Sequence, residues 1–323
     1  MTTTKSHTGF GITAPRFTPE DEQRERDNLT ESEKRELETR LYGDPVHGDG
    51  CDFFKKENGD VASISALIHE MNEALERIPL DQKESLTHAM DLCPDQITDS
   101  EKTRFLRRVD YNPKLAAKRY TRYWEKRLSI FGEDYCYLPF TLDGAFQRDA
   151  ETLKRGLFFV LGKDASGRGV YYHDPSRHDW DKYDLYSLIR ASWYFLDLAG
   201  RLSNDGQSIV GMIYQKHEVL SDFSKKFVLQ NLELEMDCLP IRCNAVHLCH
   251  PNFVFGEIIA PVLKFILGKR FRLMFQVHRG LLQEVVAQLE SFGIHKNIVP
   301  YDFGGNQRLD VVSWLEKRRT LDL

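Results

Sequence analysis

The sequence predicts an α/β fold in which a mostly parallel sheet carries flanking helices and follows a small all-helical module. Strand-like and helix-like segments alternate beyond Cys136, as they do in parallel sheets covered by helices. Residues 61–135 show helical periodicity, whereas residues 1–60 are dense in charge and offer little to bury. We therefore expect a charged, disordered tail at 1–60, a helical module at 61–135 and the main domain at 136–323.

The composition is typical of a soluble globular protein. Of the 323 residues, 41% are hydrophobic and 29% are charged, and the net charge of -5 lacks the basic surplus of nucleic-acid-binding proteins. The most apolar stretch, residues 253–267, is interrupted by Glu257, Pro261 and Lys264, so it falls short of the ~18 apolar residues of a membrane span. We expect a cytoplasmic monomer that does not bind nucleic acid and associates with membranes only peripherally.

The cysteines favour a reducing compartment. They form no CxxC pair, and the N-terminal MTTTKSHTGF lacks the apolar core of a secretory signal, so we expect free thiols. The six are Cys51, Cys93, Cys136, Cys238, Cys243 and Cys249.

The segment before residue 61 is polar along its whole length. Residues 19–40 alternate acids and bases, which predicts a solvated helix or a disordered tail. Glycine, proline and aspartate at 43–50 then end any helix.

The helical module at 61–135 begins with apolar residues at helical spacing between Ile64 and Ile78. Thr98 supplies N-capping chemistry for a second segment that contains Phe105 and Leu106. Asn112-Pro113 opens a third helix, because proline is tolerated in a first turn.

The main domain alternates strands and helices. A hairpin is predicted at 156–173 around the turn residues Asp164 to Gly167. The strands that follow are predicted at 208–214, 244–249 and 271–277, and the helices at 186–202, 223–238, 253–267 and 281–292, with a terminal helix around Trp314.

Three segments together resemble the CRAL-TRIO family. FLRR at 105–108 with YNP at 111–113 is similar to the N-terminal helical module of that family. PIR at 240–242, the strand NAVHLC and the helix FGEIIAPVLKFIL resemble its strand, turn and gate helix. FQVH at 275–278 and VPYDFGG at 299–305 resemble its last strand and Gly-Gly ending. The resemblance covers roughly residues 85 to 318.

The resemblance implies a hydrophobic cavity above a sheet floor, closed by a mobile gate helix that admits a lipid at a membrane. The implied pocket and gate residues are Tyr171, Val210, Met212, Phe253, Phe255, Ile258, Ile259, Val262, Leu263 and Ile266. Lys269, Arg270 and Arg272 follow the gate and are either a cationic rim for lipid headgroups or a solvated helix end.

The sequence departs from the family pattern at two places. In the turn before the gate helix, Pro251 lies one residue farther from Phe255 than usual. The positions at which phosphatidylinositol-transferring members carry charged headgroup ligands fall near Val109, Asp110, Ile241 and Leu273, which are neutral or acidic. This disfavours phosphoinositide transfer but leaves an apolar pocket intact.

The sequence supports a metal site or a catalytic site less well than it supports a lipid-binding pocket. Strand alternation puts Cys243, His247 and Cys249 on one face and His250 on the other, so the four do not converge as a zinc site would require. The His/Asp pairs at 173–174 and 178–179 are expected to lie in a surface loop, and the chain has no nucleophile elbow or phosphate-binding loop. No catalytic residue, cofactor or metal is predicted.

The leading hypothesis is a non-enzymatic carrier that exchanges a phospholipid or isoprenoid-like ligand at membranes. The alternative is a lipid-tuned scaffold for signalling partners that lacks bulk transfer activity. A hydrolase using His173 or His247 is a third, weaker possibility.

Overall fold

A computed structural model describes residues 16–43, 53–55, 61–178, 184–214, 225–249 and 260–321. Within these ranges the α-helices are α1 (Pro19–Asp27), α2 (Glu31–Tyr42), α3 (Ile64–Arg77), α4 (Glu84–Leu92), α5 (Asp99–Arg108), α6 (Pro113–Phe131), α7 (Glu133–Cys136), α8 (Ala150–Lys154), α9 (Leu185–Leu202), α10 (Lys225–Glu233), α11 (Ala260–Arg272), α12 (Leu282–Ser291) and α13 (Val311–Leu321). The strands are β1 (Phe53–Lys55), β2 (Val61–Ser63), β3 (Phe158–Lys163), β4 (Gly169–His173), β5 (Ser208–Tyr214), β6 (Arg242–Cys249) and β7 (Phe275–His278).

The main sheet has five strands in the order β3-β4-β5-β6-β7. The β3–β4 pair is an antiparallel hairpin, and every later pairing is parallel. Helices α9, α10 and α11 connect consecutive parallel strands, as parallel pairing requires. The predicted α/β class with a mostly parallel sheet and a helical N-terminal part is therefore confirmed.

Helices α5 and α6 of the helical module begin at the positions that the sequence predicts. The Thr98 side chain accepts a hydrogen bond from the backbone N–H of Glu101 and caps α5. Asn112 accepts one from the backbone N–H of Leu115 and caps α6, with Pro113 in the first turn. Each bond satisfies an N–H group that a helix start otherwise leaves unpaired, so these two predictions are confirmed.

A compact core of large side chains joins α3 to α6. It includes Met71, Leu86, Phe105, Tyr120 and Trp124, each at most 1% exposed. Aromatic edge-to-face contacts such as Phe105–Tyr120, at 4.8 Å between ring centroids, contribute to this packing.

Buried charges join α5 to α9 of the main domain. Arg104 and Arg201 both pair with Asp197, at 2.8 and 2.7 Å, and Glu101 pairs with both arginines. Because Arg104 and Asp197 are buried, separating the two elements would leave charges without partners.

The structure differs from the sequence analysis in the first sixty residues. Residues 16–43 form α1 and α2, each opened by a capping box, Thr18 with Asp21 and Thr30 with Glu33. Leu41 is 3% exposed and belongs to the core of the main domain. Of the two alternatives for residues 19–40, a solvated helix or a disordered tail, the structure has helices, which a few apolar side chains and charge pairs with distant residues hold in place. Residues 1–15 lie outside the described part, and the domain boundaries stay a prediction.

The apolar segment before β7 also has different bounds. The described helix α11 begins at Ala260 and runs to Arg272, beyond the predicted end at 267, and β7 begins at Phe275 rather than at 271. Gly268, at φ 70°, interrupts the helical conformation inside α11. Among the described helices, none is long and apolar enough to cross a membrane.

Candidate functional site

One face of the sheet carries a row of side chains in register. His173 of β4 is paired with Ile213 of β5, Ile213 with Leu248 of β6, and Val246 with Phe275 of β7. Because side chains alternate along a strand, these residues and Tyr171 lie on the same face. All six line one cavity.

Three helices enclose this cavity above the sheet. Ser192 of α9, Phe227 and Asn231 of α10, and Leu263 and Leu267 of α11 belong to its wall. The cavity volume is about 160 Å³ and the lining is mostly apolar. The cavity is therefore a mostly apolar space between the sheet and these three helices.

Aromatic rings form one end of the wall. Phe158 stacks on Tyr171 at 6.0 Å, on the His173 imidazole at 4.7 Å and on Phe227 at 6.0 Å between ring centroids. The His173 Nε2 atom lies 3.1 Å from His178 Nε2. Burial and the neighbouring His178 hold the pKa of His173 well below its ordinary value, so the ring is neutral near pH 7.

A chain of neutral polar groups crosses the wall from β4 to α10. The Tyr171 hydroxyl lies 3.0 Å from Ser192 Oγ, and Ser192 Oγ donates to Asn231 Oδ1 at 2.6 Å. Asn231 Nδ2 donates in turn to the Phe227 carbonyl at 2.9 Å. Burial raises the pKa of Tyr171, so its hydroxyl stays protonated and donates to Ser192.

Glu235, which carries a carboxyl group, also lines this cavity. It lies in a π-helical turn, Leu234–Cys238, that continues α10. Burial raises its pKa to about 7, although a hydrogen bond with Cys243 and the charge of Arg108 oppose the shift. π-helical turns are rare and occur often at functional sites.

Arg119 of α6 holds this π-helical turn in place. Its guanidinium donates to the carbonyls of Glu235, Met236 and Leu239 at 2.6, 2.5 and 2.8 Å. A residue of the helical module thus fixes the backbone that presents Glu235 to the cavity.

The residues predicted from the resemblance do not all line the cavity. Tyr171 and Leu263 line the cavity. Val210 and Met212 alternate with Gly211 and Ile213 on β5, so the structure places them on the opposite face and they do not line this cavity.

The remaining predicted residues belong to the gate segment. Val262 is buried in α11, and Ile266 is 38% exposed. Lys269 and Arg270 belong to the α11 helix, but their side chains, like Phe253, Phe255, Ile258 and Ile259, lie outside the described part. Arg272 is not a free rim cation: it pairs with Glu25 at 2.9 Å.

Helix α1 lies against α11. The Phe17 N–H donates to the Pro261 carbonyl at 3.0 Å, and Lys264 Nζ lies 2.6 Å from Glu22. The Arg272 guanidinium lies 4.5 Å above the Phe17 ring, which is 5% exposed. The supposed tail therefore packs against a helix that lines the cavity.

Cys243 and His247, which strand alternation puts on one face, lie on opposite faces of the sheet in the structure. Cys243 lines the cavity, whereas His247 lies on the opposite face, where its Nδ1 is 2.8 Å from His278 Nε2. A register shift where β5 pairs with Cys243 and Ala245 breaks the simple alternation that put Cys243 and His247 together. In the described ranges no group of three or more His, Cys, Asp or Glu side chains could hold a metal, and His250 lies outside them.

The expectation of a surface loop at 173–178 also needs correction. His173 is buried in the cavity wall, and Asp174, also buried, accepts hydrogen bonds from Ser176 and Arg177 rather than orienting His173. Sequence reasoning missed Ser192, Asn231 and Glu235 as wall residues. Ser192, a polar residue inside the apolar run of α9, was the available signal.

The comparisons agree with this geometry. Residues 153–305 match the family model of the CRAL/TRIO domain, a domain that binds and transfers hydrophobic ligands. The matched segment contains all five strands of the main sheet and the helices α9 to α12. A search of curated proteins found no match for this chain. The chain therefore contains a CRAL/TRIO domain at residues 153–305.

Proposed function

We propose that this protein binds a lipid in the cavity between the sheet and α11 and exchanges it at membranes by displacement of α11, without covalent chemistry. The apolar cavity carries the proposal. Keeping one methylene group out of water is worth about 0.8 kcal/mol of free energy. An apolar cavity wall therefore offers an acyl or isoprenoid chain most of the favourable free energy that the bilayer interior provides.

The size of the cavity supports a moving wall. A cavity of about 150 Å³ accommodates a molecule the size of benzene, and the cavity volume here is about 160 Å³. A whole lipid is several times larger, so binding one requires a wall element to move outward. Helix α11 is that element in our proposal, because Leu263, Leu267 and Phe271 form its side of the cavity.

The exposed surface of α11 supports contact with a membrane. Phe265 and Ile266 are 47% and 38% exposed on the side away from the sheet. An apolar interface would cover these side chains and any cavity surface that becomes exposed on opening. Gly268 offers a hinge, since its φ of 70° is a conformation that other residues adopt at a cost.

The test replaces an apolar wall residue by a charge. We expect Leu263→Asp to abolish lipid co-purification in native mass spectrometry and transfer between vesicles, because a carboxylate in the cavity is strongly disfavoured. Leu281→Asp is the matched control, since Leu281 is 72% exposed. Retention of lipid by folded Leu263→Asp protein would refute the proposed site, and bound lipid without any transfer by the wild type would favour a lipid-tuned scaffold.

A further inference from the structure

We infer that Glu235, Asn231, Ser192 and Tyr171 form a hydrogen-bonding subsite for the head of the ligand, and that the ligand is an uncharged lipid bearing a hydroxyl group. The inference rests on the proposed function and names the ligand class of the same cavity.

The four side chains come from three elements and line the same mostly apolar cavity. In the chain from Tyr171 through Ser192 to Asn231, each hydroxyl proton already has an acceptor. The hydroxyl oxygens keep further acceptor capacity. The two hydroxyls are thus suited to receive a hydrogen bond from a ligand and offer no spare proton of their own.

Glu235 limits the charge that the polar head of the ligand can carry. It is one of the residues that line the cavity and keeps some accessible surface. No lysine or arginine occurs among the described residues of the wall. The charge of Arg108 reaches Glu235 but does not outweigh its burial, so a phosphate or a carboxylate bound there would lie beside a carboxyl group whose charged form is already disfavoured.

A hydroxyl suits both forms of Glu235. The pKa of about 7 means that the carboxyl is present in both protonation states near neutral pH. An alcohol donates to the carboxylate and accepts from the protonated acid, whereas a ketone or an ether only accepts. The thiol of Cys243 is a weak donor and leaves the carboxyl oxygens available for a stronger one.

The test compares dodecanol with dodecanoate, measured by displacement of a fluorescent fatty probe at pH 7.5. We expect the wild type to bind the alcohol at least about tenfold more tightly, the difference that one hydrogen bond to a charged group makes. Glu235→Leu should lose this preference, and Glu235→Gln, which removes only the charge, should bind dodecanoate about tenfold more tightly than the wild type does. Asp237→Asn, an exposed position of the same turn, is the control and should behave as the wild type.

Two outcomes separate this inference from the proposed function. Equal affinity of the wild type for both compounds, or an unchanged preference in folded Glu235→Leu and Glu235→Gln proteins, overturns the subsite alone. Binding of neither compound by any variant overturns the proposed function as well.

A second, independent observation concerns α1 and α2. The geometry points to residues 16–43 as a strap that holds α11 closed and slows ligand exchange. Helix α2 is fixed to the main domain, because Arg168 donates to the carbonyls of Arg40 and Leu41 and Tyr42 stacks on Phe292 at 5.0 Å. Only residues 28–30 separate α2 from α1, which contacts α11.

Outward movement of α11 must break the contacts with α1. These are the Glu22–Lys264 and Glu25–Arg272 ion pairs and the burial of Phe17. The Glu25–Arg272 pair is incomplete: in the described part of the chain, Glu25 Oε2 and Arg272 Nε are buried without a hydrogen-bond partner. Unpaired buried atoms weaken a contact, so this one is suited to opening and reclosing.

The strap is tested with Glu22→Lys/Glu25→Lys in the full-length chain, which replaces two attractive pairs by repulsive ones. We expect transfer of ligand between phosphatidylcholine vesicles to accelerate about tenfold, the range of coupling between distant sites, with an unchanged amount of bound ligand. Glu76→Lys/Glu84→Lys, at exposed positions of α3 and α4 outside the strap, is the charge-matched control. Unchanged transfer in the folded double variant, or the same acceleration in the control, overturns the strap, while absence of transfer in the wild type overturns the proposed function instead.

Discussion

Helices α9 and α11 both border the cavity, yet they are held in opposite ways. Thirteen of the 18 residues of α9 are buried, including Trp193, Phe195 and Leu196. On α11 the buried side chains among those described are Ala260, Val262 and Leu263, and the helix is interrupted at Gly268.

The difference indicates which side of the cavity can move. Displacing α9 would expose a continuous apolar face and separate the buried ion pairs with α5. Displacing α11 would break the contacts with α1 and a smaller apolar cluster with β6 and β7. Segments with few buried apolar contacts open at lower free energy than the core does, so the proposed movement of α11 is expected to cost less free energy than a movement of α9.

The largest expected effect concerns the anchoring of α9. Asp197→Ala leaves the buried Arg104 without its main partner, and we expect the free energy of unfolding at pH 7 to fall by about 3 kcal/mol. Urea denaturation measures the loss. Glu151→Ala, which removes an exposed pair with Lys154, is the control and should cost less than about 1 kcal/mol.

The difference in stability between the wild type and Asp197→Ala should decrease at acid pH. Burial alone would raise the pKa of Asp197, but Arg104 and Arg201 outweigh it and lower the pKa to about 2. A depressed pKa contributes stability above the unfolded value of 3.8, and that stability is lost as the pH falls towards 2. A gap between wild type and Asp197→Ala that stays constant from pH 7 to pH 2 would contradict the ion-pair explanation.

The anchoring charges show what the sequence could and could not predict. Local signals predicted the β3–β4 hairpin, the caps at Thr98 and Asn112 and the alternation of strands with helices, because each depends on neighbours along the chain. The pairing of Arg104 with Asp197, and of Glu22 with Lys264, joins residues far apart in sequence. Charge patterns along the chain carry no information on such partners.

The pocket residues on β5 illustrate a second limit. Period-two alternation separates Val210 and Met212 from Gly211 and Ile213, but both sets are apolar or small, because helices cover both faces of a parallel sheet. Which set faces the cavity depends on where the helices cross, and the family resemblance did not specify it. Glu235 was missed for a related reason: a π-helical turn changes the direction that helical spacing assigns to its side chain.

A pair of leucine truncations sharpens the comparison of the two walls. Leu196→Ala removes a side chain that is 1% exposed within the packed face of α9, and we expect a loss of about 3 kcal/mol. Leu263→Ala enlarges an existing cavity and removes fewer contacts, so we expect about 1 kcal/mol. Urea denaturation of both variants checks this order, and equal losses would mean that α11 is packed as firmly as α9.

The smallest expected effect is the difference in stability loss between alanine substitutions at two glycines with similar backbone conformations. Gly132, after α6, and Gly268, inside α11, have φ values of 74° and 70°, and an added methyl group would meet no atom within 4 Å at either. Alanine at Gly132 should cost about 1 kcal/mol, because an L-residue is strained at positive φ and α7 follows directly. At Gly268 a weakly held α11 can straighten into continuous helix, which alanine favours, so we expect a loss below about 0.5 kcal/mol. Equal losses in urea denaturation would show that the residues around Gly268 hold α11 in its kinked conformation as rigidly as the residues around Gly132 hold the end of α6. That result would contradict the proposed movement of α11.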